Sequence, residues 1–349
     1  MYYRQVKEIN ESLKKTGKAI ISLGCSFVEG QGAIDQDLYD RLKWTMEKTG
    51  VPMEPELSME EKEELVKEYP ELAIQGTNID WTFMEYKNAF VNVLCNKYFN
   101  GEYTPINFGL RGKGNRASMK SMYLWPDIDW HLAKEIIVLY VPSGAERFDF
   151  LNDEFNEAGQ FHCMWPHWQD QDSGPRRTLW KGYNEGLYSE KQATLEQIVH
   201  MMDLVTWCKA NNAELIITPG FDRTYSRDHF LNLLKDYIRR DQNQKITDFH
   251  RNADGPMAEK VLSNSRHEGH IQTLEKLVDQ LPWDKFFYPQ GCDTFMELCL
   301  KQEGITNKGF WDYNGKGTPQ RWVTTCCHPS AKGHDLFAKE LHKHITGNK

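Results

Sequence analysis

Two short stretches at opposite ends of the 349-residue chain carry residue types suited to acyl chemistry. The first is Gly24-Cys25-Ser26-Phe27-x-x-Gly30, directly after the apolar run KAIISL at 18–23. A serine on the turn after a buried strand holds its hydroxyl at the edge of a sheet, with its own N–H near the start of the next helix. One residue can then supply both an attacking Oγ and a donor to a developing oxyanion. A serine there more often caps a helix, so the reading needs a base. The second stretch, His328-Pro329-Ser330-x-x-Gly333-His334, offers one. Pro329 fixes the backbone after His328, and Ser330 can cap a final helix over about 330–344. His328 would thus sit on a rigid turn, as a general base must. His334 falls inside that helix and reads as structural.

The elements that must position these residues are visible as apolar runs and periodicities. Compact runs with β-branched residues at 18–23 (KAIISL), 104–108 (TPINF), 135–141 (EIIVLYV) and 214–218 (ELIIT) predict buried strands. Helical spacing predicts helices over 5–16, 82–98 and 189–210, the last closed by Asn211-Asn212. In SMEEKEELVKEYPEL, Ser58 and Glu61 have the spacing of a capping box. Strands that alternate with helices imply a parallel sheet covered on both faces, so the fold class read here is α/β, a three-layer α/β/α sandwich. Sites on such sheets gather at the carboxyl ends of strands. The Gly-Cys-Ser turn, the Gly-rich turn 109–115 and the Pro142-Ser143-Gly144 turn all follow strands and are expected on one edge. The chain reads as one domain over 1–349, with insertions at about 35–80, 150–188 and 221–320. The Trp-rich stretch 150–185 reads as an irregular excursion, and 228–320 as mostly helical with a weak strand near 286–288.

The order of the two chemical stretches resembles the SGNH/GDSL hydrolase superfamily, in a divergent Gly-Cys-Ser-Phe branch. In that family an N-terminal Gly-Asp-Ser motif supplies the nucleophile and a C-terminal Asp-x-x-His-Pro motif the base with its orienting acid. A Gly after the second strand and an Asn after the third complete the oxyanion hole. Gly24-Cys25-Ser26 matches the first motif with Cys in place of Asp. Residues 107–112 (NFGLRG) match the second, with Gly112 the implied oxyanion donor and Asn115 a second candidate. The third motif, Gly-x-Asn-Asp, is absent. The strand ends instead in Pro142-Ser143-Gly144-Ala145-Glu146-Arg147, where Ser143 or Arg147 would take the oxyanion role. Thr325 stands where the family has its Asp; Thr accepts a hydrogen bond from imidazole but cannot stabilise imidazolium by charge. The site is then a Ser26–His328 dyad, or an acid comes from elsewhere, with Asp222 and Asp312 as candidates.

Composition narrows the partners. Hydrophobic residues are 40% and charged residues 26%, enough apolar material for a sizeable core. A net charge of −8 argues against a general nucleic-acid binder, which needs a basic face. The N-terminus MYYRQVKEINESLKKTGK lacks the apolar core of a signal peptide, and nothing approaches the ~18 apolar residues of a membrane span. Eight scattered cysteines fit a reduced, cytoplasmic protein better than a disulfide framework. Cys326-Cys327-His328 with His334, and His162-Cys163 with His167, have no standard zinc spacing. Gly109-x-x-Gly112-x-Gly114 is not the dinucleotide fingerprint. No metal and no cofactor are therefore expected. The resemblance implies a serine esterase acting on a small-molecule or carbohydrate ester, with the Trp-rich excursion stacking on sugar faces. The alternative is an inactive SGNH-like protein that binds a ligand or partner or serves in assembly, with the insertions as its working surfaces.

Overall fold

The structure, a computed structural model, describes residues 3–33, 58–70, 81–110, 114–124, 127–144, 147–151, 161–164, 178, 181, 190–221, 225–235, 264–305, 322–323 and 328–347. In chain order the elements are α1 (Tyr3–Thr16), β1 (Lys18–Gly24), α2 (Ser26–Glu29), α3 (Met59–Glu68), α4 (Trp81–Asn88) and α5 (Phe90–Val93), which runs into a π-turn at Leu94–Tyr98. Next come β2 (Thr104–Gly109), α6 (Asn115–Leu124), β3 (Glu135–Val141), β4 (Phe148–Leu151), β5 (Phe161–Met164), α7 (Glu190–Ala210) and β6 (Glu214–Ile217). The chain closes with α8 (Asn264–Asp279), α9 (Phe295–Gln302) and α10 (Ala331–Thr346).

The four expected strands form one parallel sheet in the order β2-β1-β3-β6. Side chains alternate across it, as the two-residue period of a strand requires. Ala19, Ile21 and Leu23 of β1, with Ile136, Val138 and Tyr140 of β3, pack into one cluster with Val6, Ile9 and Leu13 of α1 and Ile198, Met201 and Leu204 of α7. Ile20, Ile137, Leu139 and Ile216 face the opposite side and pack with Phe90, Phe295, Phe337 and Leu341. These two apolar layers make the molecule a three-layer α/β/α sandwich. Each buried Ile, Leu, Val or Phe in them contributes roughly 1.5–3 kcal/mol relative to exposure.

Local signals explain several element ends. Ser58 Oγ accepts from the Glu61 N–H at 3.2 Å while Glu61 Oε2 accepts from the Ser58 N–H at 2.8 Å, the reciprocal capping box expected before α3. Ser330 Oγ accepts from the Gly333 N–H at 3.2 Å and opens α10.

Three expectations need correction. The continuous helix expected over 82–98 breaks at Ala89, whose ψ is 141°. The break frees the Phe90 N–H, which donates instead to His334 Nδ1 at 3.2 Å. A tertiary partner thus overrides the local helical pattern. The excursion read as irregular holds an antiparallel pair: β4 and β5 align Phe148 with Met164 and Leu151 with Phe161. Each run, four residues long, is too short to stand out in the sequence. The weak strand near 286–288 reduces to one parallel bridge between Ile217 and Phe286, held by the Phe287 N–H donating to Ile217 O at 2.8 Å.

The chain runs from β1 to β2 on one side, then recrosses to β3 on the other. That reversal makes the carboxyl ends of β1 and β3 the switch point of the sheet, where open α/β sheets form a crevice.

Candidate functional site

Ser26 stands at that switch point. β1 ends at Gly24, Cys25 stands at the N-cap position of α2 without a side-chain cap bond, and Ser26 is its first helical residue. Two glycines let α2 lie directly over the strand ends. A Cβ on Gly24 would fall 2.3 Å from Val28 Cγ2 and 2.5 Å from Val141 O, and one on Gly109 would fall 2.1 Å from Glu29 N. No side chain fits either gap. Asn107, near the end of β2, completes the seat: its Nδ2 donates to Val28 O at 2.8 Å and its Oδ1 accepts from the Gly109 N–H at 2.8 Å. Further along, the buried Glu85 accepts from the Gly32 N–H through Oε1 at 2.9 Å and fixes the exit of the turn.

His328 meets Ser26 from 302 residues away in sequence. Its Nε2 lies 2.7 Å from Ser26 Oγ, the distance of a good hydrogen bond. With the ring proton on Nδ1, Nε2 accepts from the Ser26 hydroxyl. The backbone around His328 is tied down on both sides. Pro329 bridges to Val323, and the Ser330 N–H donates to Trp322 O at 3.0 Å. Phe27, next to the serine, lies against the imidazole with ring centroids 5.1 Å apart. Phe27 in turn packs on Phe221 at 5.4 Å and Phe295 at 6.2 Å. The serine is 4% exposed and His328 is half-buried, so the pair lies largely within the protein at the carboxyl end of β1.

The other candidates divide. Arg147 lies over the face of Phe221, its guanidinium carbon 5.4 Å from the ring centroid, and so belongs to the aromatic wall that runs from Phe221 through Phe27 to His328. Asn115 and Ser143 are wholly buried and face each other. Asn115 Oδ1 accepts from the Ser143 N–H at 2.7 Å and from Ser143 Oγ at 3.2 Å. The two protons of Asn115 Nδ2 face three acceptors, Ser143 O at 3.0 Å, Gln197 Oε1 at 2.8 Å and Tyr225 Oη at 2.7 Å. In this arrangement the donors of both residues are directed into a buried network, whereas an oxyanion needs donors aimed at the reacting carbon's oxygen. Gly112, Thr325, Asp222 and Asp312 lie outside the described residues.

His334 is fully buried among Phe90, stacked at 6.1 Å, and Phe295, edge-on at 5.3 Å. Its Nδ1 accepts the Phe90 N–H, so the ring proton resides on Nε2, which has no hydrogen-bond partner among the described residues. Burial, reinforced by the neighbouring His328, pushes its pKa down to about 3. It is a neutral core imidazole, consistent with a structural reading. Among the residues considered for zinc, Cys326, Cys327 and His167 lie outside the described residues.

Gln197, Tyr225 and Phe27 were not singled out by the sequence. Gln197 sits on α7, and its neighbours in sequence carry no polar pattern that marks it. Phe27 carries no sequence signal beyond its place in the serine motif. Their roles depend on contacts between distant segments.

A comparison with protein-family models, with curated proteins and with solved structures finds no match for this chain.

Proposed function

We propose that this chain is a serine acyl hydrolase of SGNH type, with Ser26 as nucleophile and His328 as general base. The observation that carries the reading is the 2.7 Å approach of Ser26 Oγ to His328 Nε2. It is supported by the placement of both groups at the switch point of a parallel sheet, and by the order of the motifs that resemble that superfamily. In the reaction, His328 takes the hydroxyl proton as Ser26 Oγ adds to the ester carbonyl. The tetrahedral oxyanion collapses, His328 returns the proton to the leaving alkoxide, and an acyl-serine remains. Water, deprotonated by His328, then releases the acid and restores Ser26. A polar O-acyl substrate, carbohydrate esters included, is the class favoured by the Trp-rich stretch. Five of the cysteines, at 25, 95, 208, 292 and 299, are buried free thiols, which supports a reduced, cytoplasmic setting. Among the described residues no helix is long and apolar enough to cross a membrane.

A second reading has one observation in its favour. Asn115 and Ser143 direct their donors at each other and not at a substrate oxygen, as suits an inactive binding or assembly protein. Hydrolysis of p-nitrophenyl acetate and of acetylated sugars decides between the two. The hydrolase reading expects turnover by the wild type that Ser26→Ala and His328→Ala abolish. Turnover that survives Ser26→Ala, or none by the wild type, rejects it.

A further inference from the structure

Asn115 heads α6, which follows β2, yet its side chain grips the exit of β3 on the far side of β1. It holds both polar groups of one peptide residue, accepting from the Ser143 N–H at 2.7 Å and donating to Ser143 O at 3.0 Å. Tyr225 Oη also donates to Ser143 O, at 2.6 Å, and Gln197 Oε1 lies 2.8 Å from Asn115 Nδ2. All four residues are at most 2% exposed. A hydrogen-bond network in so dry a place favours a single geometry, because each lost partner leaves a buried polar group unpaired.

What it fixes lies beside the serine. Gly24 pairs with Val141 in the sheet, so Ser26 and Ser143 are each two residues past paired ends of adjacent parallel strands. A Cβ on Gly24 would lie 2.5 Å from Val141 O, which shows how closely the two exits run. Beyond Ser143 the chain leads to Arg147, whose N–H donates to Gly144 O at 3.3 Å and whose guanidinium covers Phe221. Phe221 packs on Phe27, and Phe27 on His328.

We propose that Asn115, completed by Gln197 and Tyr225, is a positioning residue that clamps the β3 exit as one wall of the Ser26–His328 site. This assignment rests on the acyl-hydrolase reading. It replaces the direct oxyanion role for Asn115 and Ser143 with an indirect one. Loss of the clamp lets the wall shift, and misplacement of a site wall by about 1 Å costs on the order of 10²-fold in rate.

The test compares wild type, Tyr225→Phe and Asn115→Ala. It measures the second-order rate of acylation by a fluorophosphonate and kcat and KM for p-nitrophenyl acetate, at several pH values. Thermal melting reports the folded fraction, and Tyr225→Phe, which removes one hydroxyl, serves if Asn115→Ala does not fold. The clamp predicts that folded variants lose roughly tenfold to a hundredfold in acylation rate, mainly in kcat. Ser26→Ala still blocks labelling, and the midpoint of the pH–rate profile stays put because His328 is untouched. A folded variant that reacts at the wild-type rate with only a lowered melting temperature overturns the proposal and leaves the hydrolase reading intact. A wild type that does not react overturns the hydrolase reading and the proposal with it.

Discussion

At the scale of single residues, two histidines of one segment have opposite environments. His328 is half-buried and bonded to a hydroxyl, whereas His334 lies in the core with its pKa pushed down to about 3. That difference has a consequence for stability. In the unfolded chain a histidine titrates near 6.5. Between that value and the folded value, the unfolded state binds more protons, so stability is full above about pH 6.5 and is lost as pH falls. The slope from His334 alone approaches about 1.4 kcal/mol per pH unit below that point. Melting curves at pH 7.5 and 5 are expected to show a drop that His334→Gln reduces; an equal drop in the variant would assign the acid sensitivity to other groups. The turns that carry Ser26 and His328 were legible from their neighbours, since a strand followed by Gly-x-Ser and a His-Pro before a capped helix are local signals, whereas pairing the two residues rested on the order of the motifs. The partners of Asn115 were not, because Gln197 and Tyr225 reach it across 82 and 110 residues. The carboxylates Asp222 and Asp312 and the Thr325 hydroxyl, each considered as the group that orients His328, lie outside the described residues.

At the scale of elements, the site depends on two short segments that stand on strands and caps. Gly109 allows α2 to rest on the end of β2, and a Cβ there would meet Glu29 N at 2.1 Å. Gly109→Ala must therefore displace the backbone that carries Ser26. The expected outcome is loss of esterase activity together with a destabilisation of a few kcal/mol, read by denaturant titration, since overpacking against backbone has no cheap relief. Retained activity in Gly109→Ala would show that α2 does not need this seat. Ser330 is the corresponding control at the other end of the chain. Its hydroxyl caps α10, and its N–H anchors the His328 turn to Trp322. Ser330→Ala removes the cap and keeps the backbone bond, so a loss of about 1 kcal/mol is expected with Ser26 still reactive. Urea unfolding with parallel activity measurements checks both parts. The caps at Ser58 and Ser330 could be read from the sequence because capping is decided within four residues. The break at Ala89 could not, because the group that accepts the freed Phe90 N–H comes from α10, 244 residues away.

At the scale of the whole molecule, the parallel sheet of four strands sets the geometry and the helices on its two faces supply the apolar layers. The strands were legible as apolar runs rich in Ile and Val, because a strand buried on both faces has no polar alternation to obscure it. The hairpin of β4 and β5 was hidden, since four-residue strands fall below the length at which periodicity separates from chance. The apolar layer that packs α10 against the sheet, with Phe27 inside it, is what brings residue 328 to residue 26. Function therefore depends on whether that junction is a working nucleophile and base. The most direct measurement is mass-spectrometric mapping of the adduct left by a fluorophosphonate on the native protein. One adduct is expected, on Ser26, formed by wild type and lost in His328→Ala, whose serine has no base. An adduct on another residue, or one on Ser26 that forms as fast without His328, would contradict it.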